Sequence, residues 1–363
     1  MRVVEVIATL DGAGAERQMA LLAARLDRAR FEPRVLAITR GGPVEADLRA
    51  AGVPVEVLGK RRKIAPGTFL RLAARLRKAR PHAVHTHLFT ANAYGRAAAL
   101  FAGVPAIVAT EHATDPGKRP WQRAIDRALA RESGAIVCAS EAIRKACEAR
   151  GLPAKKLVRI YNGVDAAAIA AQGRGLSAEP GLVVTACRLE KEKDVPTLVR
   201  AIAALRGRGV AARLAIAGEG SERAAIEAEA ASLGVREAIE LLGWRADMGR
   251  ILARGAVFAL ASKTEGFGVA IAEAMAAGRA VVASRVEGIR ELVEDGRTGL
   301  LVPPGDAAAF AGAIGALLAD PARAAAMGEA GRERARAAFS VEAMVRAYES
   351  LFEMLARCCK IWT

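Results

Sequence analysis

The sequence predicts an α/β protein built from two doubly wound, mostly parallel sheets. Strand-length apolar runs alternate with Ala/Leu/Arg segments of helical period, the alternation restarts after a polar stretch near the middle, and polar residues recur where strands end. In such sheets ligands gather beyond the carboxyl ends of the strands. A length of 363 residues suits about two domains. Hydrophobic content of 53% with only 4% aromatics describes a core of Ala, Val, Leu and Ile.

In the first half, strands are expected at Val3–Ala8, Arg34–Ile38, Val55–Leu58, Ala83–His87, Ala106–Thr110, Ala135–Ala139 and Leu157–Ile160. The first is followed by Asp11-Gly12-Ala13-Gly14-Ala15-Glu16-Arg17 and a helix. Arg17 stands where a dinucleotide fingerprint has its third glycine, which leaves a loop whose Gly14 backbone could meet a phosphate, or an ordinary strand-to-helix turn. His85-Thr86-His87, Thr110-Glu111-His112 and Tyr161-Asn162-Gly163-Val164-Asp165 each close a strand. All four histidines fall within Pro81–His112. His85 and His87 read as hydrogen-bonded strand-end residues, and as a metal pair they lack a third ligand at local spacing.

Asn162–Asp165 and the polar Ala171–Gly181, read as the linker, separate the halves. Strands resume at Leu182–Cys187, Arg213–Ala217, Ile239–Leu242, Ala256–Ala261, Ala280–Ser284 and Gly299–Val302. Arg188-Leu189-Glu190-Lys191-Glu192-Lys193-Asp194 joins the first of these to a helix with Pro196 in its early turn. Arg188 as a bidentate fork and Lys193 as a point charge could clamp a diphosphate, or form a solvated mixed-charge turn. Gly218-Glu219-Gly220 and Gly243-Trp244-Arg245 close the next two strands.

The fullest motif is Thr264–Met275, TEGFGVAIAEAM. A strand feeds a glycine turn and then a helix, whose first N–H groups and positive dipole end suit phosphate or sugar oxygens. Gly266 and Gly268 would let a ligand approach the backbone. Phe267 is either a lid or a core plug, Glu265 sits at the mouth of the turn, and Glu273 is expected about two turns into the helix.

The net charge is +15, from 54 basic and 39 acidic residues. Many of the arginines alternate with alanine on helical faces, few aromatics are available for base stacking, and no recognition-helix, RNP or zinc-finger pattern occurs, so nucleic acid is not the expected partner. The cysteines Cys138, Cys147, Cys187, Cys358 and Cys359 are odd in number and form no C-x-x-C pair, which fits a reducing cytoplasm and no zinc site. The opening MRVVEVIATL reads as a strand rather than a signal peptide, and no apolar run reaches the roughly 20 residues of a membrane span.

Taken together and in order, GAGAER, NGVD, RLEKEKD, GEG, EGFGVAIAE and ELVEDGRTGLLVPPGD resemble the retaining, nucleotide-sugar-dependent glycosyltransferases of the GT-B fold over nearly the whole length. The resemblance implies two Rossmann-like domains facing a central cleft: 1–170 on the acceptor side, 171–338 binding the nucleotide sugar, and 339–363 a helix returning to the first domain. It implies that Arg188 and Lys193 hold the donor diphosphate, Glu273 the ribose and Glu265 the sugar hydroxyls. The backbone of Phe267, Gly268 and Val269 would lie near sugar and phosphate, with Gly218 also on the donor side, Gly14 bringing backbone to the phosphates from the opposite domain, and His112 beside the reacting sugar. His112, Glu265, Arg188 and Lys193 form the expected catalytic set. The family usually has paired glycines before Ala-Glu-Arg; here Ala13-Gly14 stands instead.

The implied reaction is transfer with retention to a glycan or lipid-linked acceptor, in polysaccharide or glycolipid synthesis, by a cytoplasmic enzyme. It needs no resident cofactor, and a UDP-sugar is preferred to a GDP-sugar. No D-x-D occurs, so a metal-bridged diphosphate is not implied. An oxidoreductase would need a fuller glycine fingerprint; a non-catalytic nucleotide-sugar-binding module would not require His112. Finally, Lys60–Arg80 has many cations and no acidic residue, with Phe69, Leu72, Ala73 and Leu76 on one stripe. It is either a docked helix with a solvated basic face or a peripheral contact with anionic membrane.

Overall fold

Seven parallel strands make the first sheet and six the second. The structure is a computed structural model and describes residues 1–62, 65–115 and 117–359. The chain divides into one unit of Met1–Gly163 with Val341–Thr363, and another of Val164–Ser340.

In the first unit the strands are β1 Arg2–Thr9, β2 Glu32–Arg40, β3 Val55–Val57, β4 Ala83–His87, β5 Ala106–Glu111, β6 Ala135–Cys138 and β7 Leu157–Arg159. Their order across the sheet is β3-β2-β1-β4-β5-β6-β7. The second unit has β8 Leu182–Ala186, β9 Arg213–Ala217, β10 Ile239–Gly243, β11 Val257–Leu260, β12 Ala280–Ser284 and β13 Gly299–Val302, ordered β10-β9-β8-β11-β12-β13. Both sheets therefore reverse direction of winding beside their first strand, between β1 and β4 and between β8 and β11, where doubly wound proteins open a crevice. Every expected strand is present, its ends within two residues of the predicted ones.

Strands covered on both faces read as continuous apolar runs. Two strands at the first reversal break that rule. In β4 all five residues of Ala-Val-His-Thr-His are buried, and in β1 Glu5 is fully buried among valines. Such groups must be hydrogen-bonded or paired to be tolerated there.

The chain crosses between units at Gly163/Val164 and Ser340/Val341. Ala171–Gly181 thus lies inside the second unit: Asp165 Oδ1 accepts from Ala168 N and starts a helix, Ala166–Gln172, which packs on the helix Met248–Arg254. The last helix, Val341–Cys359, buries Val341, Met344, Tyr348, Leu351 and Phe352 in one cluster with Val3, Leu22 and Phe31 of the first unit.

The basic segment forms a helix at Pro66–Ala79 that buries Thr68, Leu72, Ala73 and Leu76, with Phe69 partly covered against Phe101. Several of its cations are tied down. Arg75 pairs with Glu56 at 2.6 Å, Arg71 donates to the Leu58 carbonyl at 3.0 Å, and Arg77 donates to the Phe101 carbonyl and lies over its ring. Arg61, Arg62 and Lys78 are exposed and without an ion pair among the described residues, whereas Lys63 lies outside them. No helix among the described residues is long and apolar enough to cross a membrane.

Candidate active site

In the second unit, the loops after β8 and β11 meet at the sheet reversal. After β8 the chain makes a short turn at Lys191–Lys193, passes through Asp194 in the left-handed region (φ 48°), and enters the helix Val195–Gly207. After β11 it runs through Ser262–Gly268 into the helix Val269–Ala276. Lys193 Nζ lies 2.5 Å from Glu265 Oε1, and Ser262 Oγ donates to the same oxygen at 3.1 Å. The two charged side chains are only 14% and 12% exposed. Lys263, which the motif reading passed over, laces the same loops: its N–H donates to Glu192 O at 2.8 Å and its Nζ is 3.6 Å from Asp194 Oδ1. Arg188 stands apart from this group, with its side chain 63% exposed and paired to Glu192 at 3.1 Å. The neighbouring Cys187 thiol is pushed up to about 12 by burial and stays protonated.

Gly268 caps the helix with φ 87°, a conformation an L side chain rarely adopts. Phe267 is buried and meets the Phe339 ring edge-on at 5.6 Å, so it is a core plug and not a lid. Val269 is the first helical residue, where amides have no partner within the helix. Glu273, half-buried, is the fifth residue of that helix. It therefore sits a little over one turn in rather than two, because the four-residue step from Val269 to Glu273, at about 3.6 residues per turn, makes only about 1.1 turns. Behind the turn, a Cβ on Gly288 would stand 2.4 Å from Glu265 O, so the short helix Glu287–Arg290 presses directly on the backbone that carries Glu265. Gly218 has a packing reason of its own. A Cβ there would fall 1.8 Å from Cys187 O, and its N–H already donates to Gly243 O at 2.8 Å.

In the first unit, Gly14 is exposed and opens the helix Gly14–Arg25, and a Cβ there would touch nothing. The residue whose conformation demands glycine in that loop is Gly12, at φ 89°. The larger finding is a buried chain of polar groups running across β1, β4 and β5. His87 Nε2 lies 2.8 Å from Glu5 Oε2, and His87 Nδ1 lies 3.1 Å from His112 Nε2. His85 Nδ1 sits 2.9 Å from the same Glu5 oxygen but off the hydrogen-bonding direction. Its Nε2 is 2.6 Å from Thr110 Oγ1, which in turn is 3.0 Å from the Tyr348 hydroxyl. The fold thus supplies from β1 the third group that local spacing could not. Glu5, His85 and His87 are metal-ligating residue types in mutual reach. Glu5 Oε2 already accepts directly from His87, while Glu5 Oε1 and His85 Nδ1 are buried without a hydrogen-bond partner among the described residues.

Burial by itself would raise the Glu5 carboxyl, but His85 and His87 outweigh it and hold it at about 2. Burial, reinforced by His85, pushes His87 down to about 4 despite Glu5. Burial and then the neighbouring imidazoles hold His112 well below the usual histidine range. At neutral pH Glu5 is therefore ionised, and His87 and His112 are neutral.

His112 is held in place through its neighbour. Glu111 accepts from Asn92 Nδ2 at 3.0 Å, from Lys118 Nζ at 2.8 Å and from Arg150 Nη2 at 3.2 Å. Lys118 also donates to Asp126 at 2.8 Å, and Asp126 accepts from Arg96 at 2.9 Å. All these side chains are buried. Sequence reasoning missed both networks, although one signal was visible: Glu5 is a lone carboxylate inside the apolar run Val3–Ala8.

Residues 12–168 match the family model described as Glycosyltransferase Family 4, and residues 180–320 the one described as Glycosyl transferases group 1. Among curated proteins, the chain is 30% identical over 285 residues to a glycogen synthase of Mycobacterium tuberculosis, covering 75% of this chain and 69% of the relative. It is 35% identical over 251 residues to a GDP-mannose-dependent α-(1-6)-phosphatidylinositol monomannoside mannosyltransferase of Mycolicibacterium smegmatis, covering 64% and 65%. Among solved structures, Anabaena HepE in complex with UDP-glucose superposes with a TM-score of 0.85 at 24% identity, over 98% of this chain and 100% of that one.

Proposed function

The chain belongs to the GT-B glycosyltransferases, and within that family we propose that it moves a sugar from a nucleoside-diphosphate donor to a glycan or lipid-linked acceptor with retention of anomeric configuration. The observation that carries this reading is the Lys193–Glu265 pair at the β8/β11 reversal. An ammonium group and a carboxylate side by side suit the two halves of a nucleotide sugar: the cation faces the diphosphate, and the carboxylate accepts from vicinal hydroxyls. Arg188, exposed at the rim, reaches the diphosphate from solvent, and Glu273 accepts from the ribose. Amides at the Phe267–Val269 helix start lie near phosphate and sugar. Gly14 leaves room for a phosphate, and Gly218 lets the turn after β9 lie against the Cys187 carbonyl beyond β8.

In the reaction, an acceptor hydroxyl oxygen bonds to the anomeric carbon on the face from which the diphosphate departs. The carbon–oxygen bond to phosphate breaks with its electron pair, and the acceptor proton passes to the departing phosphate. Catalysis then rests on positioning and on Lys193 and Arg188 stabilising the charge that develops, with no resident cofactor or metal. His112 sits by the reacting sugar.

A UDP-sugar is the proposed donor, supported by the UDP-glucose complex of the HepE neighbour; the mannosyltransferase relative is named for a GDP-sugar and a glycolipid. We place the enzyme in the cytoplasm at the inner membrane face, in polysaccharide or glycolipid synthesis, where the exposed cations Arg61, Arg62 and Lys78 would meet anionic lipid. A thermal-shift panel of UDP- and GDP-sugars, followed by slow donor hydrolysis with the best of them, tests the donor assignment. Stabilisation by GDP-sugars alone would reverse it, and stabilisation without any hydrolysis would favour a binding module.

A further inference from the structure

Hydrogen bonding fixes more about His112 than its position. An ionised carboxylate can only accept, so the bond between Glu5 Oε2 and His87 Nε2, 2.8 Å long, needs the His87 proton on Nε2. A neutral His87 then has only a lone pair at Nδ1. The group facing that lone pair at 3.1 Å is His112 Nε2, which must be the donor. A neutral His112 with its proton on Nε2 has a lone pair at Nδ1, and that buried atom is without a hydrogen-bond partner among the described residues. Each step follows from the one before. An orphaned acceptor of this kind is costly unless a ligand donor completes it.

We propose that Glu5, acting through His87, is a positioning residue that fixes His112 in the Nε2–H tautomer, so that Nδ1 presents a lone pair to a hydroxyl of the bound sugar. The site accepts from the sugar at this point and does not donate to it. A donor sugar with a hydroxyl there is favoured over its deoxy or O-methyl counterpart, because the latter leaves Nδ1 unpaired. The ring of His85, centred 4.0 Å from that of His87, backs the arrangement and is itself tied through Thr110 to Tyr348. The placement of His112 beside the sugar rests on the function proposed above; the tautomer does not.

The chain has only four histidines, so imidazole nitrogen NMR on uniformly 15N-labelled protein resolves them, with His112→Gln assigning the relevant signals. In the unaltered protein between pH 6 and 8, His112 should carry its proton on Nε2 and none on Nδ1. A proton on Nδ1, or on both nitrogens, would overturn the proposal. In Glu5→Gln the amide can donate to His87 Nε2 instead, which lets the chain of protons reverse, and His112 should acquire a substantial Nδ1–H population. An unchanged tautomer in a folded Glu5→Gln protein would overturn the role of Glu5. If that variant did not fold, Glu5→Leu, which removes the acceptor altogether and leaves His87 free to take either tautomer, replaces it with the same two outcomes. Hydrolysis of UDP-glucose supplies the second readout: Glu5→Gln should lower kcat at least about tenfold with KM nearly unchanged, and equal loss in both would count against a tautomer effect. The spectra need no donor, so a wrong tautomer sinks this inference alone, while a correct tautomer with no turnover of any donor bears on the proposed function alone.

Discussion

Lys193 and Glu265, separated by 72 positions in sequence, meet at 2.5 Å with both side chains mostly out of water. Arg188 is paired in the open, 63% exposed. The two cations read from sequence as one clamp are therefore unequal. Lys193→Ala should weaken UDP binding by about 2 kcal/mol or more, since it also leaves Glu265 uncompensated beside the phosphates. Arg188→Ala should cost less than about 1 kcal/mol, because an exposed charge is screened. Titration calorimetry with UDP measures both, and equal losses would contradict the difference in burial.

His112 and Glu273 belong to different parts of the proposed substrate. His112→Ala should depress turnover of the donor at least about tenfold while UDP affinity holds. Glu273→Gln should do the opposite, raising the UDP dissociation constant with a smaller change in turnover. Steady-state kinetics beside calorimetry separates them, and parallel effects of both substitutions would remove the distinction.

Acid should destabilise the first unit in two overlapping windows. The unfolded chain protonates His87 near 6.5 and Glu5 near 4.5, whereas the folded chain holds them to about 4 and about 2. The unfolded state thus binds more protons throughout, and stability falls as pH drops, first between 6.5 and 4 and then between 4.5 and 2. His85 and His112 are the other titratable groups facing this pair, and His112 acts in the same direction as His87. Urea midpoints should decline from pH 7 to pH 5, and His87→Gln should flatten that decline. A midpoint that rises on acidification would contradict the buried neutral histidine.

Lys118 neutralises Glu111 and Asp126 at 2.8 Å each in the interior. Lys118→Met leaves both carboxylates competing for Arg150 and Arg96, and should cost about 3 kcal/mol of stability. Denaturant melts are the measure. A loss under about 1 kcal/mol would mean that the arginines alone balance the site.

Contact with anionic lipid, if it occurs through the Pro66–Ala79 face, uses the cations that are not tied down. Changing Arg61, Arg62 and Lys78 together to Gln should abolish co-sedimentation with anionic vesicles at low salt and leave the melting temperature unchanged. Arg71 and Arg75 are poor choices for this purpose, since the first holds the Leu58 carbonyl and the second holds Glu56. No sedimentation of the unaltered chain with anionic vesicles would point to a soluble acceptor.

The sheets were legible because buried parallel strands are mostly apolar, and the runs from Val3 to Val302 announced themselves that way, with Glu5 in β1 and His-Thr-His in β4 as the exceptions. The motif around Glu265 was legible because a glycine cap after a strand has few other uses. What sequence could not convey was pairing at a distance. Nothing near Lys193 in the chain names Glu265 as its partner, and nothing near His112 points to Glu5 across two strands. The basic helix was visible as a stripe, but its arginines could not be divided into bound and free until Glu56, Leu58 and Phe101 were placed beside them.

A Cβ on Gly163 would come within 2.7 Å of Val341 Cα, and Val164 pairs with Ser340 through the Phe339 carbonyl. Each unit thus enters and leaves at a single point. In topological terms residues 164–340 are an insertion into a protein that would otherwise run from Gly163 straight into Val341. A link of one or two residues across that gap would give a self-contained chain carrying Glu5, His87, His112 and Tyr348 together, whereas cutting after Gly163 would strip Tyr348 and Phe352 from the core and open His85 to water.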